Sequence, residues 1–560
     1  MAVLKAAVLL AVAALRCVGA LDSCALDAAS LANFVSATTA TGAALRVGSF
    51  RVWSPDASCA ESGDCGNANP TSPYALATLP GADGTQTWDW ALAPNEVVVM
   101  VICVPPRGRY VGYTPYLHTA NFNGSRYTLF ASLADTASAG TAGRDATAPV
   151  FSRLSSTAGS VPHEGSRAAE LLPFGHRAVL LMGASAPAVA AARALAATLV
   201  PDSAVNVLPI PDKYYDPANT FSLYQRYALP DDAAAFGSWL AAPPVAVWSI
   251  TPLLPPPGKK DVYPLPTLIP KAGSSEDWLR PAAEALAARL ADYFALVGSS
   301  NVSVVSAGRG SPLKSSAFCI ATATNCGGDN RGACARYGYC SLFAPFGPAD
   351  VHPLSYSASA DTTYVQALPL FVLPDDPTAL VIAVGANHRA TGNGHYANVA
   401  LYDSDVRLGV VAAADDTLRC APSWLRGTQF EAATGSLFAL AISRSCPPWL
   451  PLPCLRVPSD GWPSASLSHY LTVVERPYAA LDTTVGPSAT SLTLPQLVLV
   501  NIATSRAIFT DPVAEAQPLR AQLAGARAAI ASMRTAAPPA AAPTTSPPTK
   551  PQLLRAQGRN

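Results

Sequence analysis

The first twenty residues constrain this chain most, because they set the compartment in which the rest must fold. Lys5 precedes the apolar run AAVLLAVAAL, which has the length of the hydrophobic part of a secretory signal and is too short to span a bilayer. Val18 and Ala20 are the small residues expected before a cleavage site. The sequence therefore predicts a signal peptide over residues 1–20 and a mature chain that is secreted or held in the lumen of the secretory pathway.

Eleven cysteines follow Ala20, and many of them should pair in an oxidising compartment. Cys59 with Cys65, and Cys446 with Cys454, are spaced to close small loops. Because the number is odd, at least one thiol is left over. We expect it to be Cys103, since the apolar run VVVMVICV would bury it as a small hydrophobic side chain.

Four more cysteines lie in the segment 313–344, but no gap between them is as short as a zinc knuckle requires. A local disulfide-rich loop region is the better interpretation in an exported chain. The sequence predicts no metal and no cofactor. Two N-x-[ST] sequons, at Asn123 and Asn301, predict N-glycosylation at surface positions.

The fold class predicted from the apolar patterns is mixed α/β (α+β). Two β-rich domains flank a central α/β segment, in which a strand, a turn, a helix and a second strand follow in order. Near the end, an amphipathic helix precedes a tail rich in proline and alanine that we expect to be disordered. The predicted boundaries are 1–20 (signal peptide), 21–165 (β-rich), 166–312 (α/β), 313–344 (disulfide-rich loops), 345–511 (β-rich), 512–535 (amphipathic helix) and 536–560 (tail).

The two β-rich regions contain similar stretches. PNEVVVMVICV, which starts at Pro94, aligns without gaps on PDDPTALVIAV, which starts at Pro374, and RYTLFASLAD resembles HYANVALYD further on. One interpretation is a duplicated β-unit. The alternative is that unrelated hairpins share the pattern of a turn followed by an apolar strand.

Charge excludes one class of partner. The formal net charge is zero, and the chain has no basic stripe or arm of the kind that binds nucleic acid. No segment after the leader is long and apolar enough to predict a transmembrane span. A carbohydrate or a cell-surface polymer remains an open class of partner.

The polar stretch GANHRATGNGHYA lies between two strand-like runs and is longer than an ordinary hairpin loop. His388 or His395 could act as a general base in such a loop, and Arg389 together with Asn393 could bind a ligand. A loop that only stabilises its own turns is the alternative. The matching stretch of the first region, Pro105–Tyr127, is also predicted to be a loop.

That first-region stretch carries Tyr113, Tyr116 and His118, which would stack on sugar rings if they were exposed. The alternative is that alternate aromatic side chains pack on a sheet.

Ser185 follows Gly183 between a predicted strand and a predicted helix, as a hydrolase nucleophile does, but Pro187 replaces the second glycine of that motif. The alternative role for Ser185 is a helix N-cap. Taken together, the sequence predicts a secreted, disulfide-stabilised glycoprotein that binds an unknown ligand outside the cell or at its surface. A secreted hydrolase that uses the His388–His395 loop is the second hypothesis.

Overall fold

The computed structural model describes residues between Cys24 and Ile502. Within that range it leaves out 25–26, 63–64, 66–67, 82, 123–124, 134–136, 139–174, 176, 201–203, 256, 259–260, 265–274, 300, 307–361, 407, 420–421, 461–462, 481–482, 484–485 and 489–490. The predictions for the signal peptide, for Asn123, for segment 313–344, for the helix 512–535 and for the tail fall outside the described residues.

The described chain is strand-rich and mixed, as predicted. Its helices are α1 (Ala28–Ala40), α2 (Pro55–Ser62), α3 (Ala186–Ala196), α4 (Ala233–Ala241) and α5 (Arg280–Leu296). Its strands are β1 (Ala44–Val47), β2 (Ser49–Trp53), β3 (Tyr74–Pro80), β4 (Gln86–Thr87), β5 (Val97–Cys103), β6 (Gly108–Phe122), β7 (Ser125–Ser132), β8 (Ala137–Ser138), β9 (Arg177–Gly183), β10 (Val205–Pro209), β11 (Thr220–Pro230), β12 (Val245–Thr251), β13 (Val302–Ser306), β14 (Val365–Phe371), β15 (Leu380–Ala386), β16 (Ala397–Asp403), β17 (Leu408–Ala414), β18 (Leu437–Ser443), β19 (Cys454–Arg456), β20 (Leu471–Pro477) and β21 (Gln496–Val500). No helix among the described residues is both long and apolar enough to span a bilayer.

These strands form four sheets. Sheet I has the order β1-β12-β5-β9-β10, and sheet II has the order β2-β3-β11-β6-β7, with β4 and β8 paired at its sides. Sheet III has the order β13-β21-β15-β18-β19, and sheet IV has the order β14-β20-β16-β17. All neighbours along these orders are antiparallel except β9 with β10 and β18 with β19, which are parallel.

Each pair of sheets encloses one core and carries helices on its outer side. Side chains of sheets I and II pack between those two sheets, while α1 and α3 cover the other face of sheet I. Sheets III and IV enclose a second core, and α5 covers the other face of sheet III. The central strands β5 and β15 are buried along their whole length. Burial on both faces explains why each is a continuous apolar run rather than an alternating one.

One local prediction, the strand–helix–strand order in the central segment, is confirmed. The segment that starts with β9 continues through α3 into β10, and β9 pairs in parallel with β10, as a β-α-β unit requires. Helix α5 carries Pro281 in its first turn and buries Leu286 and Leu290. Gly298 follows its C-cap with a φ of +96°, a conformation that favours glycine.

Two predicted loops need correction. Most of the stretch Pro105–Tyr127 is strand rather than loop, because β6 runs through it and pairs with β11. The strands on either side of the His388 loop do not form a hairpin either, since β15 belongs to sheet III and β16 to sheet IV. The loop therefore connects two layers. The predicted boundary at residue 165 falls between strands that share sheets I and II.

The disulfides confirm two predicted pairs and overturn one prediction. Cys59 is bonded to Cys65, and Cys446 to Cys454, as expected. Cys103 is not the free thiol, because it is bonded to Cys24 across 79 residues of sequence. This bond ties the segment before α1 to the end of the central strand β5.

Candidate functional site

The loop between β15 and β16 is fixed by Asn387. Its side-chain oxygen accepts hydrogen bonds from the backbone N–H groups of Arg389 and Ala390, both at 3.2 Å. Its side-chain amide donates to the backbone oxygens of Asp415 and Leu418 at 3.0 Å. An asparagine that bonds its own following backbone imposes a turn, so the side chains after it are held in defined directions.

His388 points from this loop into the protein. Its Nδ1 lies 3.0 Å from both carboxylate oxygens of Glu276, and its Nε2 lies 3.2 Å from Oε2 of Glu475. Only 2% of His388 is exposed. Glu276 comes from the short turn before α5 and Glu475 from β20, so the imidazole joins three separate segments. We call these three residues the Glu–His–Glu cluster.

Glu276 collects further hydrogen bonds. The Thr391 hydroxyl donates to Oε1 at 2.5 Å and the Asn393 amide donates to the same oxygen at 2.9 Å. The backbone N–H of Thr493 donates to Oε2 at 2.8 Å. Asn393, which the sequence predicts as a ligand-binding residue, is buried in this network, where its amide donates to Glu276.

Charge in the cluster is set by burial and by the close carboxylates. Burial alone would lower the pKa of His388, but the charge and hydrogen bonds of Glu276 and Glu475 raise that pKa to about 10. Burial would raise the pKa of Glu276, but His388 and the hydrogen bonds around it lower that pKa to about 2. Burial raises the pKa of Glu475. With carboxylates against both nitrogens, His388 is held as an imidazolium and neither nitrogen is open to a substrate.

Arg389 points the other way, into a surface cavity of about 450 Å³. Six of the residues that line this cavity are Asn387, Arg389, Asp415, Asp416, Arg419 and Thr434. Its volume lies in the range of small-molecule sites. We call it the Arg389–Asp415 cavity.

Asp415 is the unusual group of this cavity. Its side chain is fully covered, and its Oδ2 lies 3.2 Å from Nε of Arg389. Apart from this ion pair and the nearby backbone N–H of Asp416, neither carboxylate oxygen has a hydrogen-bond partner among the described residues. Burial raises the pKa of Asp415 to about 6, although the charges of Arg109 and Arg389 act against that rise. A buried carboxylate without donors is costly, and such groups concentrate at functional sites.

His395 stands apart from the cluster. Burial, together with the charges of Arg109 and Arg389, lowers the pKa of His395 to about 4, so the ring is neutral at physiological pH. Its backbone N–H donates to the backbone oxygen of Tyr478 at 3.2 Å.

The other predicted site residues have structural surroundings. Ser185 caps α3, where its hydroxyl accepts the backbone N–H of Ala188 at 3.3 Å. Tyr113 and Tyr116 are fully buried and His118 is 9% exposed, so they do not form an exposed platform for sugar rings. Asn301 is exposed, as a glycosylation acceptor must be.

One group of side chains has the composition of a metal site. Ligand atoms of Asp403, Asp405 and His469 lie within 4.8 Å of one another. Hydrogen bonds within the chain already account for the buried member: Oδ2 of Asp403 lies 2.7 Å from Nδ1 of His469, and Oδ1 accepts the backbone N–H groups of Asp405 and Val406. The group could hold a cation, and its contacts equally describe a closed turn.

Sequence reasoning missed Glu276, Glu475 and Asp415. The two glutamates lie 112 and 87 residues from His388 in sequence, and no local motif links them to it. Asp415 offered a faint signal, since the pair Asp415–Asp416 directly follows an apolar strand.

Comparison with known proteins adds no function. No protein-family model matches the chain, and no curated protein matches it. Among solved structures, the chain is similar to the crystal structure of the VPA0106 protein from Vibrio parahaemolyticus, with 12% identity over 78% of this chain and 90% of that chain. The TM-score of that comparison is 0.32, which is too low to carry an argument.

Proposed function

We propose that this protein is exported and binds a small anionic ligand in the Arg389–Asp415 cavity. The observation that carries the proposal is a cavity of ligand size lined by two guanidinium groups, one of them held by a buried carboxylate. Arginine presents a planar fork of donors that matches carboxylates and phosphates. The disulfides and the absence of a membrane-spanning helix among the described residues are compatible with export.

The hydrolase hypothesis has less support. It needs a base within hydrogen-bond reach of a nucleophile. Both ring nitrogens of His388 face glutamates, and the Ser185 hydroxyl is used as a helix cap. No contact among the described residues joins His388 to Ser185.

We also infer that the two halves of the chain, 28–251 and 280–500, are copies of one unit. The order and direction of strands in sheet III repeat those of sheet I when β13, β21, β15, β18 and β19 are matched with β1, β12, β5, β9 and β10. Sheet IV repeats β3, β11, β6 and β7 of sheet II in the same way. Independent folds that share only turn patterning have no reason to agree in nine strands.

Register and side chains support the same inference. Val98 pairs with Met182, and Val381 pairs with Ile442, which is the same position when the strands are matched end to end. In both halves a buried arginine lies against two tyrosines, which belong to the neighbouring strands except for Tyr364, the residue just before β14. Those sets are Arg226 with Tyr74 and Tyr116, and Arg476 with Tyr364 and Tyr402.

The duplication shows where the two units differ. Only residues 104–107 connect β5 to β6, whereas residues 387–396 connect the matching strands β15 and β16. The longer connection carries both His388 and Arg389. Two residues that line the proposed site, Asn387 and Arg389, thus lie in a part by which the second unit departs from the first, and such loops are where a new function is added to a fold.

Anion binding is tested by calorimetry of the purified mature protein with lactate and with inorganic phosphate. We expect at least one of them to bind, and Arg419→Gln to weaken that binding by about tenfold or more, because a charged hydrogen bond contributes about 1.5–3 kcal/mol. Arg426→Gln, an exposed arginine outside the lining, is the matched control. Equal affinity of Arg419→Gln and wild type would contradict the proposed site.

Export is tested separately by expressing the full chain in a eukaryotic secretory host. We expect the protein in the medium, with a mature N-terminus at Leu21 and a mass that falls on treatment with peptide N-glycosidase. Asn301→Gln should remove one glycan, because Asn301 is exposed. A chain that stays in the cytosol with its leader intact would refute this part of the proposal.

A further inference from the structure

We propose that the ligand of the Arg389–Asp415 cavity is a small hydroxy acid, whose carboxylate binds the arginines and whose hydroxyl groups donate to Asp415. This inference rests on the proposed function and names the ligand class for the same site. It is carried by the buried Asp415 carboxylate at the cavity wall, whose oxygens have acceptor positions left open among the described residues.

The charges around the cavity favour a ligand with a net negative charge. Arg389 and Arg419 line it, and Arg109 acts on Asp415 from β6. Against these three guanidinium groups stand the carboxylates of Asp415 and Asp416. The charges of Arg109 and Arg389 also act on His395, whose ring is neutral at physiological pH. One positive charge is left over, so a single carboxylate on the ligand would balance the site.

Asp415 requires a second group on that ligand. Apart from the Arg389 ion pair and the backbone N–H of Asp416, its oxygens have no donor among the described residues, so acceptor positions are left open on a buried carboxylate. A hydroxyl supplies the missing donor without adding charge. A ligand ammonium would add a further positive charge beside Arg109 and Arg389, so a hydroxy acid fits better than an amino acid.

Access to Asp415 runs through Arg389. The Asp415 carboxylate is covered, while the Arg389 side chain is 32% exposed and touches it at 3.2 Å. When a ligand carboxylate draws the guanidinium toward itself, the covered oxygens become reachable for a hydroxyl of the same molecule. A simple carboxylic acid would uncover Asp415 without supplying a hydrogen-bond donor to its oxygens. The site should therefore bind such acids more weakly than hydroxy acids.

The test compares three probes by calorimetry on the full mature protein: gluconate, hexanoate and sorbitol. Gluconate has a carboxylate and hydroxyls, hexanoate has only the carboxylate, and sorbitol has only hydroxyls. We expect gluconate to bind at least about tenfold more tightly than either of the others, because a site built to bond a hydroxyl discriminates strongly against its absence. In Asp415→Asn the preference for gluconate over hexanoate should fall below about threefold, while Arg426→Gln should keep it.

The outcomes separate the two proposals. If hexanoate binds wild type as tightly as gluconate, the hydroxy-acid inference is overturned, whereas anion binding stands. If sorbitol matches gluconate, or if no anion binds, the inference and the proposed function both fail. Should Asp415→Asn not fold, as judged by its thermal unfolding midpoint, the three-probe comparison on wild type still decides.

Discussion

Replacing His388 with alanine is expected to lower the free energy of unfolding by about 3–5 kcal/mol, the usual effect of removing one partner of a buried ion pair. The substitution leaves Glu276 and Glu475 inside the protein, each about 1% exposed, without the cation between them. It also removes the link between the turn before α5, the loop 387–396 and β20. Urea unfolding of wild type and His388→Ala measures the difference.

The pH dependence of stability should carry the same signature. His388 has a raised pKa of about 10, so its contribution is complete below its ordinary value of 6.5 and is lost as the pH rises through about 10. Glu276 has a lowered pKa of about 2, so its contribution is present above 4.5 and is lost as the pH falls through about 2. The cluster therefore stabilises the fold most between pH 4.5 and 6.5.

His388→Ala should remove the alkaline part of this profile. Unfolding free energies should fall as the pH rises from 6.5 to 10 in wild type, and should fall less in the variant toward pH 10, where the His388 imidazolium loses its proton. His469→Ala is the control, because that histidine contacts a single carboxylate and is 33% exposed, whereas His388 is buried between two. A wild-type stability that does not change between pH 6.5 and 10 would show that His388 is not held as an imidazolium.

Patterns in the sequence predicted the strands and helices that are determined by residues close together in the chain. The apolar run VVVMVIC became the buried strand β5, and the proline and glycine at the two ends of α5 mark its limits. The order strand, helix, strand around Ser185 formed a parallel β-α-β unit, with Ser185 as its cap. In each case, the residues that fix the structure are neighbours in the chain.

Pairing between distant segments could not be predicted in the same way. Two apolar strands around a polar loop look like a hairpin, yet β15 and β16 belong to different sheets, because each finds its partners near residues 440 and 475. The internal comparison pointed to similar stretches in the two halves, but its alignment differs from the match of strands proposed above. The sequence alignment pairs Val97 with Pro377, whereas matching β5 with β15 pairs Val97 with Leu380.

The arrangement of side chains at the candidate site could not be predicted for the same reason. His388 and Arg389 were both singled out, but their roles depend on Glu276, Glu475 and Asp415, which reach them through the fold. Because adjacent residues on a tight turn point in different directions, one of the pair became a buried cation and the other faces a cavity. The sequence identifies the chemical groups that the loop carries, but not the directions in which the side chains of His388 and Arg389 point.

Removing the Cys24–Cys103 disulfide should have the other large effect. In the chain-entropy account, a bond that closes 79 residues restricts the unfolded chain by about 4 kcal/mol, whereas the Cys59–Cys65 bond, which closes 6, contributes about 2 kcal/mol. Cys24→Ser/Cys103→Ser should therefore unfold at clearly lower urea concentration than Cys59→Ser/Cys65→Ser. The position of Cys103 strengthens the expectation, because its backbone oxygen also accepts the indole N–H of Trp239 at 2.9 Å, inside the first core.

The two double variants make the same chemical exchange, two sulfur atoms for two hydroxyls, and differ in the length of the closed loop and in the burial of the cysteines. Burial adds to the difference, because Cys24 and Cys103 are fully covered and serine there places hydroxyl groups in an apolar environment. Labelling denatured, unreduced wild type with a maleimide supplies the direct check on the bond itself. Modification at Cys103 under those conditions would return this residue to the free thiol that the sequence suggested, and would remove the reason to expect the larger loss of stability.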